Sequence, residues 1–536
     1  MDQNRIMELK TKSILILLLF LGCQSPENIT DYPIMGNLLT GEYTVGFKTL
    51  FHQDLTKNAV PYSDWEGNLT NNHTSEEGRQ YQINVWYPSQ PGTGEPMKYA
   101  DYVNLMGRQT NFAESQEQNE FARRTFKSQT RDLRNIHEAE NTEVLSTEEL
   151  NQLLDLYVYA RQNAKPASGH HPVVIYPNGS SPAYQSITCE FLASHGYVTV
   201  AFAPKGRFSS GMEVSTIGLE VAVDDLEFVL GKISEEPYAD LNQVAILANA
   251  ISSSVGAAAI SRNEKFKALI SLEGGLPSSF EQGLLDGSEF YLPEHIRAPM
   301  LFIYSLHPAI DPKFTFHLKY ADRYYARFPM MSEFVMLNYG MFDSFIPDIL
   351  GAHSGNTKEG FETANELILR FLNHKIKGDK SVLFDEAFIE SRSHIDTTFI
   401  LPGIPAPPNM AVLKDTFVKE GFDAIESIYH HLKSEGNDQP FSRNFYSDFR
   451  SWLAWKKDDN YEYRLRLYKL AFDSYSESAR INFYAAYYLL KTEQNEQAKK
   501  FYRQALNLFD TDEELSSDDK IRLKKYAIEE LNSLKK

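Results

Sequence analysis

The chain has 536 residues, too many for one hydrophobic core, and its 42% hydrophobic and 23% charged composition is that of a folded protein rather than a disordered one. A formal net charge of −19 repels a phosphate backbone and excludes nonspecific nucleic-acid binding.

The first informative segment is "MELKTKSILILLLFLGCQS", in which Lys10 and Lys12 precede an apolar run from Ile14 to Leu21, then Gly22 and Cys23. This is the outline of a signal peptide over residues 1–22. The run is shorter than the roughly 20 apolar residues of a permanent membrane span. A small residue directly before a cysteine resembles the lipobox of bacterial lipoproteins. On that reading Cys23 is acylated, residues 23–40 are a polar tether, and the protein sits in the bacterial cell envelope, at the outer membrane or on the periplasmic side. The alternative is an ordinary secretory signal and a secreted protein. The only other cysteine is Cys189, so lipidation of Cys23 leaves no pair for a disulfide.

Along the chain, "GEYTVGFKTLFH" from Gly41 and "YQINVWYPS" from Tyr81 read as paired strands. Residues 111–163 carry Gln, Glu, Arg and Leu and read as a helical insertion, with a capping box in "STEEL" at Ser146. The pattern then changes. "HPVVIYPNG" is a buried strand, "SITCEFLASHG" a helix ended by Gly196, and "YVTVAFAP" another strand. A helix over Leu219–Lys232, the strand "QVAILA", a small-residue helix over Val255–Arg262, the strands "KALISLEGG", "PMLFIYS" and "EFVMLNYG", and the helix "ANELILRFLNHKIKG" follow. Alternating buried strands and helices predict an α/β domain over 41–400, a mostly parallel sheet with helices on both faces.

"LPGIPAPPN" holds four prolines and marks a stiff linker over 401–410. Residues 411–536 read as helical. The stretch "INFYAAYYLLKTEQNEQAKKFYRQALNLFD" resembles one tetratricopeptide repeat, with Ala486, Ala498 and Ala505 where paired helices approach closely. It reads either as a helical cap or as a surface for a protein partner.

Chemistry concentrates in "VAILANAISSSVGAAA", Val244–Ala259, a strand running through small residues into a helix. An α/β-hydrolase holds its nucleophilic serine on such a turn, with a histidine base, a carboxylate and two backbone N–H groups completing the site. Five blocks between residue 41 and about 375 resemble the platelet-activating factor acetylhydrolase branch of that superfamily, close to dienelactone-hydrolase-like proteins. The resemblance implies an α/β-hydrolase fold and hydrolysis of acyl esters. Its "GHSxGG" falls on Ala248–Ser253, which puts Ala250 at the nucleophile and Ile251 behind it. Its acid falls on Glu273 in "SLEGG", and its base on Phe342 in "EFVMLNYGMFDSF". Its oxyanion segment falls on Asn178, Gly179 and Ser180. Alanine cannot attack and phenylalanine cannot take a proton.

A nucleophile shifted to Ser252 is the competing assignment, since "AISSS" also reads small-x-Ser-x-small. It requires the strand to extend by two residues and a base drawn from His353, His307 or His317, with Asp311 as acid. A serine at Ser252 equally suits the first turn of a helix, where its hydroxyl satisfies free N–H groups. No cofactor or metal motif is present: His170 and His171 are adjacent, His430 and His431 suit a solvated helix face, and H-E-x-x-H is absent. Three functions fit these residues. They are a hydrolase-fold protein with an impaired triad that keeps a pocket for a small acyl or lipid ligand, an active serine carboxylic-ester hydrolase using Ser252, and an adaptor working through its C-terminal helices.

Overall fold

The computed structural model describes residues 31–57, 78–109, 112–136, 145–177, 181–207, 211–346, 349, 357–381, 383–392, 394–456, 460–512 and 515–534. The leader 1–22, Cys23, Asn178, Gly179, Ser180 and His353 lie outside the described residues. The chain forms two compact units, one reaching Leu318 and resuming over Asp322–Leu401, the other made of Lys319–Ala321 and Pro402 onward.

In the first unit, β1 (Thr44–Asp54) and β2 (Arg79–Ser89) are antiparallel partners. Then come β3 (Glu95–Lys98), β4 (Tyr157–Gln162), β5 (His171–Tyr176), β6 (Val198–Phe202), β7 (Ala239–Asn249), β8 (Phe266–Leu272), β9 (Met300–Tyr304), β10 (Arg323–Arg327) and β11 (Thr397–Leu401). Among the described residues they form one sheet in the order β11-β10-β9-β8-β7-β5-β6-β2-β1-β4-β3. The run from β6 through β5, β7, β8 and β9 to β10 is parallel, and β2 is antiparallel to both its neighbours. The series β1-β2-β6-β5-β7-β8-β9-β10, with one antiparallel second strand and parallel strands thereafter, is the α/β-hydrolase fold.

Helices on both faces explain why the central strands read as unbroken apolar runs. Every residue of β5 is buried, with Val174 and Tyr176 in the cluster that also holds Ile187 and Phe371. Those two belong to α4 (Ser186–Ser194) and α9 (Thr357–Lys375). The remaining helices of this unit are α1 (Tyr99–Asn104), α2 (Gln116–Ile136), α3 (Thr147–Leu154), α5 (Thr216–Ile233), α6 (Ser252–Arg262), α7 (Ser279–Asp286), α8 (Tyr339–Phe342) and α10 (Glu386–Glu390). At the start of α3 the Ser146 hydroxyl accepts from the Glu149 N–H, and the Ser146 N–H donates to the Glu149 carboxylate. Cys189 is buried and unpaired.

Four expectations change. The insertion 111–163 ends not in helix but in β4, which pairs with β1 in parallel, Val45 opposite Ala160. "EFVMLNYG" is no strand: it runs through consecutive turns into α8, and the sheet position is filled by β10, "RYYAR". A buried apolar run need not be a strand when the backbone can close local hydrogen bonds, such as Val335 N–H to Ser332 O and Gly340 N–H to Leu337 O. β11 lies immediately before the proline-rich segment. The tether ends early, because Pro33–Met35 is a 3-10 turn with Ile34, Met35 and Leu38 buried in the core.

The second unit contains, among the described residues, the helices α11 (Met410–Glu420), α12 (Phe422–Ser434), α13 (Arg443–Trp455), α14 (Tyr461–Ser474), α15 (Ala479–Lys491), α16 (Asn495–Leu508) and α17 (Ser517–Ser533). Their cores are separate from the sheet's: one gathers Tyr429, Phe449, Tyr468 and Ala498, the other Ala486, Tyr502, Ala505 and Phe509. No helix among the described residues is long and apolar enough to cross a membrane.

Candidate functional site

β7 stops at Asn249 and α6 starts at Ser252, so two residues make the turn between them. Ala250 carries φ +48°, a left-handed backbone that costs a residue with a Cβ about 1–2 kcal/mol. Its N–H donates to the carbonyls of Leu272 (3.0 Å) and Glu273 (3.2 Å). The helix behind the turn sits close against the sheet. A Cβ on Gly256 would lie 2.7 Å from Leu269 Cδ1 and 3.2 Å from Ile246 Cγ2. Ile251 is already right-handed and leads into α6.

Ser252 is the first residue of α6 and is buried. The two-residue strand extension that a nucleophile there requires is absent, and the serine occupies the first-turn position of a helix. Ser253 and Ser254 are fully buried, and neither hydroxyl has a hydrogen-bond partner among the described residues.

Glu273 follows β8 directly and also has positive φ, +29°. Its carboxylate accepts from the Ser305 N–H (2.7 Å) and from the Ser305 hydroxyl. Burial pushes its pKa up to about 7; the two hydrogen bonds from Ser305 pull it down, and the charge of Glu333 pushes it up again. Glu333 is itself raised, by burial and then by Glu281, and its carbonyl receives a long hydrogen bond from the Asn249 side-chain amide (3.4 Å). Among the described residues, therefore, Glu273, where the resemblance places the acid, faces serine and carboxylate rather than imidazole.

Of the histidines proposed as base, the two that lie among the described residues are engaged elsewhere. His307 Nδ1 accepts from the Ala309 N–H, and His317 Nε2 meets the Tyr291 hydroxyl at 2.8 Å, with burial lowering its pKa. Asp311 caps the turn after β9 by accepting from the Lys313 N–H. Neither His307 nor His317 is hydrogen-bonded to Ser252. His171 opens β5 against the ring of Tyr43, and His430 and His431 are exposed on α12. No group of three metal-ligating side chains occurs among the described residues.

The base position lies in an aromatic cluster. Phe342 is fully buried, edge-on to Tyr99 (5.1 Å) and to Tyr339 (5.7 Å). Phe126, from the inserted helix α2, lies parallel to Tyr184 (5.9 Å) and Tyr339 (6.3 Å) and edge-on to Tyr99 (6.1 Å). Hydrogen bonds fix the surroundings. The Tyr99 hydroxyl and the Asn338 amide both donate to Ala183 O at 2.6 Å, and the Asn338 N–H donates to Tyr184 O. The Tyr184 hydroxyl donates to the Gln129 side chain on α2. Burial holds the Tyr99 and Tyr184 hydroxyls far above their ordinary pKa, so they stay neutral donors. Nothing in this cluster can act as a base at neutral pH.

Sequence reasoning missed Phe126, Tyr99, Tyr184, Tyr339 and Ser305. Ser305 had a signal, a polar residue closing the apolar run "LFIYS" at the C-terminal end of β9. The aromatic residues had none, because the sequence separates Phe126 from Tyr339 by a large part of the domain.

No family model and no curated protein matches the chain. Among solved structures, it resembles a ferulic acid esterase from Streptomyces cinnamoneus, with 17% identity and a TM-score of 0.43 over 65% of this chain and 95% of that one. It also resembles an acylaminoacyl peptidase from Pyrococcus horikoshii, with 19% identity and a TM-score of 0.32 over 42% of this chain and 41% of that one. A puromycin hydrolase gives 17% identity and a TM-score of 0.30 over 41% and 36%. Such likenesses concern the fold alone, which the strand order already establishes.

Proposed function

We propose that the protein is a lipid-anchored component of the bacterial cell envelope whose α/β-hydrolase domain, akin to the acetylhydrolase branch, binds a small acyl or lipid ligand without hydrolysing it. The observation that carries this reading is the pairing of Ala250, at φ +48° on the turn between β7 and α6, with Phe342, buried among aromatic rings. The first supplies no nucleophile and the second no base. Removing either from a working triad typically costs on the order of a millionfold in turnover.

Two measurements test it. Purified protein should give no turnover of short-chain p-nitrophenyl acyl esters and no covalent adduct with a fluorophosphonate probe. Turnover or labelling that disappears in Ser252→Ala would instead establish an active serine esterase. Mass spectrometry of the mature protein should find an acylated N-terminal Cys23; an unmodified cysteine removes the anchor.

A second reading gives the helical unit a partner. It is favoured by a cleft of about 530 Å³ lined by Tyr468, Lys469, Phe472, Gln497 and Phe501, on α14 and α16. The double variant Lys469→Ala/Phe501→Ala should then lose a protein recovered with the parent from envelope extracts. Equal recovery leaves these helices as a cap.

A further inference from the structure

β1, β4 and β3 close the sheet at the end opposite β11, and a cleft of about 520 Å³ opens on one face of them, a size that holds a small ligand. Its first wall is a strand face. Phe47, Thr49 and Phe51 alternate along β1 and so point the same way, and the register sets Gln162 of β4 beside Phe47 and Glu95 of β3 beside Gln162. The second wall is a helical face, on which Asp101, Asn104, Leu105 and Arg108 line up along α1 and the 3-10 turn Leu105–Arg108 that continues it. β5, β6 and β2 stand between β1 and β7, so the cleft is separate from the turn at Ala250.

The cations of this region are already engaged. The Arg108 guanidinium donates to Phe112 O at 2.9 and 3.2 Å, pairs with Glu114 at 3.3 Å and lies 4.5 Å over the Phe51 ring. Lys98, next to Met97 of the lining, turns to Asp155 at 2.9 Å. The acceptors are not engaged to the same extent. The Glu95 carboxylate is exposed and has no hydrogen bond or ion pair among the described residues, and the Asn104 Oδ1 is buried with no donor to it among them. Asp101 accepts from the Lys98 N–H through Oδ2 alone (2.8 Å). Burial raises the Asp101 pKa, the Lys98 N–H lowers it, and the charge of Glu114 raises it again, so a cation entering here relieves like-charge repulsion. Beneath the carboxylates the floor is apolar, with Phe47, Met97 and Leu105 buried.

We propose that this cleft binds a linear aliphatic polyamine, with one ammonium between Asp101 and the Asn104 amide oxygen, another at Glu95, and the methylene stem along the apolar floor. An ammonium carries three donors and no acceptor, the complement of this lining. No group of three ligating side chains among the described residues is placed to share one metal ion, so the carboxylates suit charges spread along a chain. The site is independent of the ligand proposed for the elbow.

The test is calorimetric titration of the full chain with spermidine at physiological ionic strength, where charges farther apart than about 8 Å are screened. The parent should show saturable binding at one site. Glu95→Gln/Asp101→Asn, in which the new amide oxygen at 101 can still cap α1, should weaken it by about tenfold or more. Glu264→Gln, on the turn between α6 and β8, should leave it unchanged. Gln162→Lys, which sets an ammonium of the chain itself in the cleft, should abolish binding, and it decides the matter if the double variant melts early. Absence of saturable binding by the parent overturns the inference, as does binding like the parent's by a folded double variant or by Gln162→Lys. Equal weakening by Glu264→Gln also overturns it, because the ligand would then answer to the net charge of −19 rather than to the cleft.

Discussion

At Ala250 the backbone still makes the tight strand-to-helix turn of a nucleophile, and only the side chain lacks its reactive atom. At Phe342 the surroundings are unsuited to a base as well: Tyr99 and Tyr339 pack edge-on to the ring, and Phe126, from the inserted helix, packs on both of them. On the proposed assignment the two positions thus differ in depth. One is a single oxygen atom short of a nucleophile, and the other is part of a folded core.

That contrast predicts very unequal consequences. Phe342→Ala should be the costliest change, about 3–5 kcal/mol of unfolding free energy, read from urea midpoints; a loss below 1 kcal/mol would mean that the cluster is loose enough to admit a ligand. The acid position comes next. The Glu273 carboxyl, raised to about 7 from 4.5, holds a proton in the folded state that the unfolded chain has given up between those values. Its contribution to stability is complete below about pH 4.5 and lost as pH rises through 7. Glu273→Gln should therefore gain on the parent by about 3 kcal/mol between about pH 4.5 and 8. Glu190, also held near 7 by burial, stays in both proteins and cancels in the difference. A difference that does not vary with pH would mean that Glu273 is already ionised.

Ala250→Gly should stabilise the protein by about 1 kcal/mol, because glycine adopts positive φ without the Cβ penalty. Unchanged stability would mean that the turn relaxes. The smallest effect is expected of Ala250→Ser, which restores the nucleophile alone: ester turnover should stay at background, since no base accompanies the hydroxyl. Turnover in that variant would reveal a base outside the described residues and would place the two positions on an equal footing.

The parallel core was legible because β5 to β9 are apolar runs bounded by proline or glycine, and the register from Val244 to Glu273 fixed both elbow positions. β10 was not, because two of its five residues are arginines. Arg323 is buried with its guanidinium donating to Phe316 O, and the half-buried Arg327 pairs with Asp396; neither partner is visible from local alternation. "EFVMLNYG" misled for the opposite reason, as its apolar residues are buried but close local turns. Nor does residue order reveal that a helix inserted after β3 supplies the ring stacked on Tyr339.

Gly256 carries a last consequence. Because it lets α6 press onto Ile246 and Leu269, the bend at residue 250 is set by helix and sheet rather than by the reactivity of the side chain at its tip. Shape and reactivity are separable in such a scaffold. The tip can exchange one small unbranched side chain for another at the same backbone cost, and the fold carries it as a passive display.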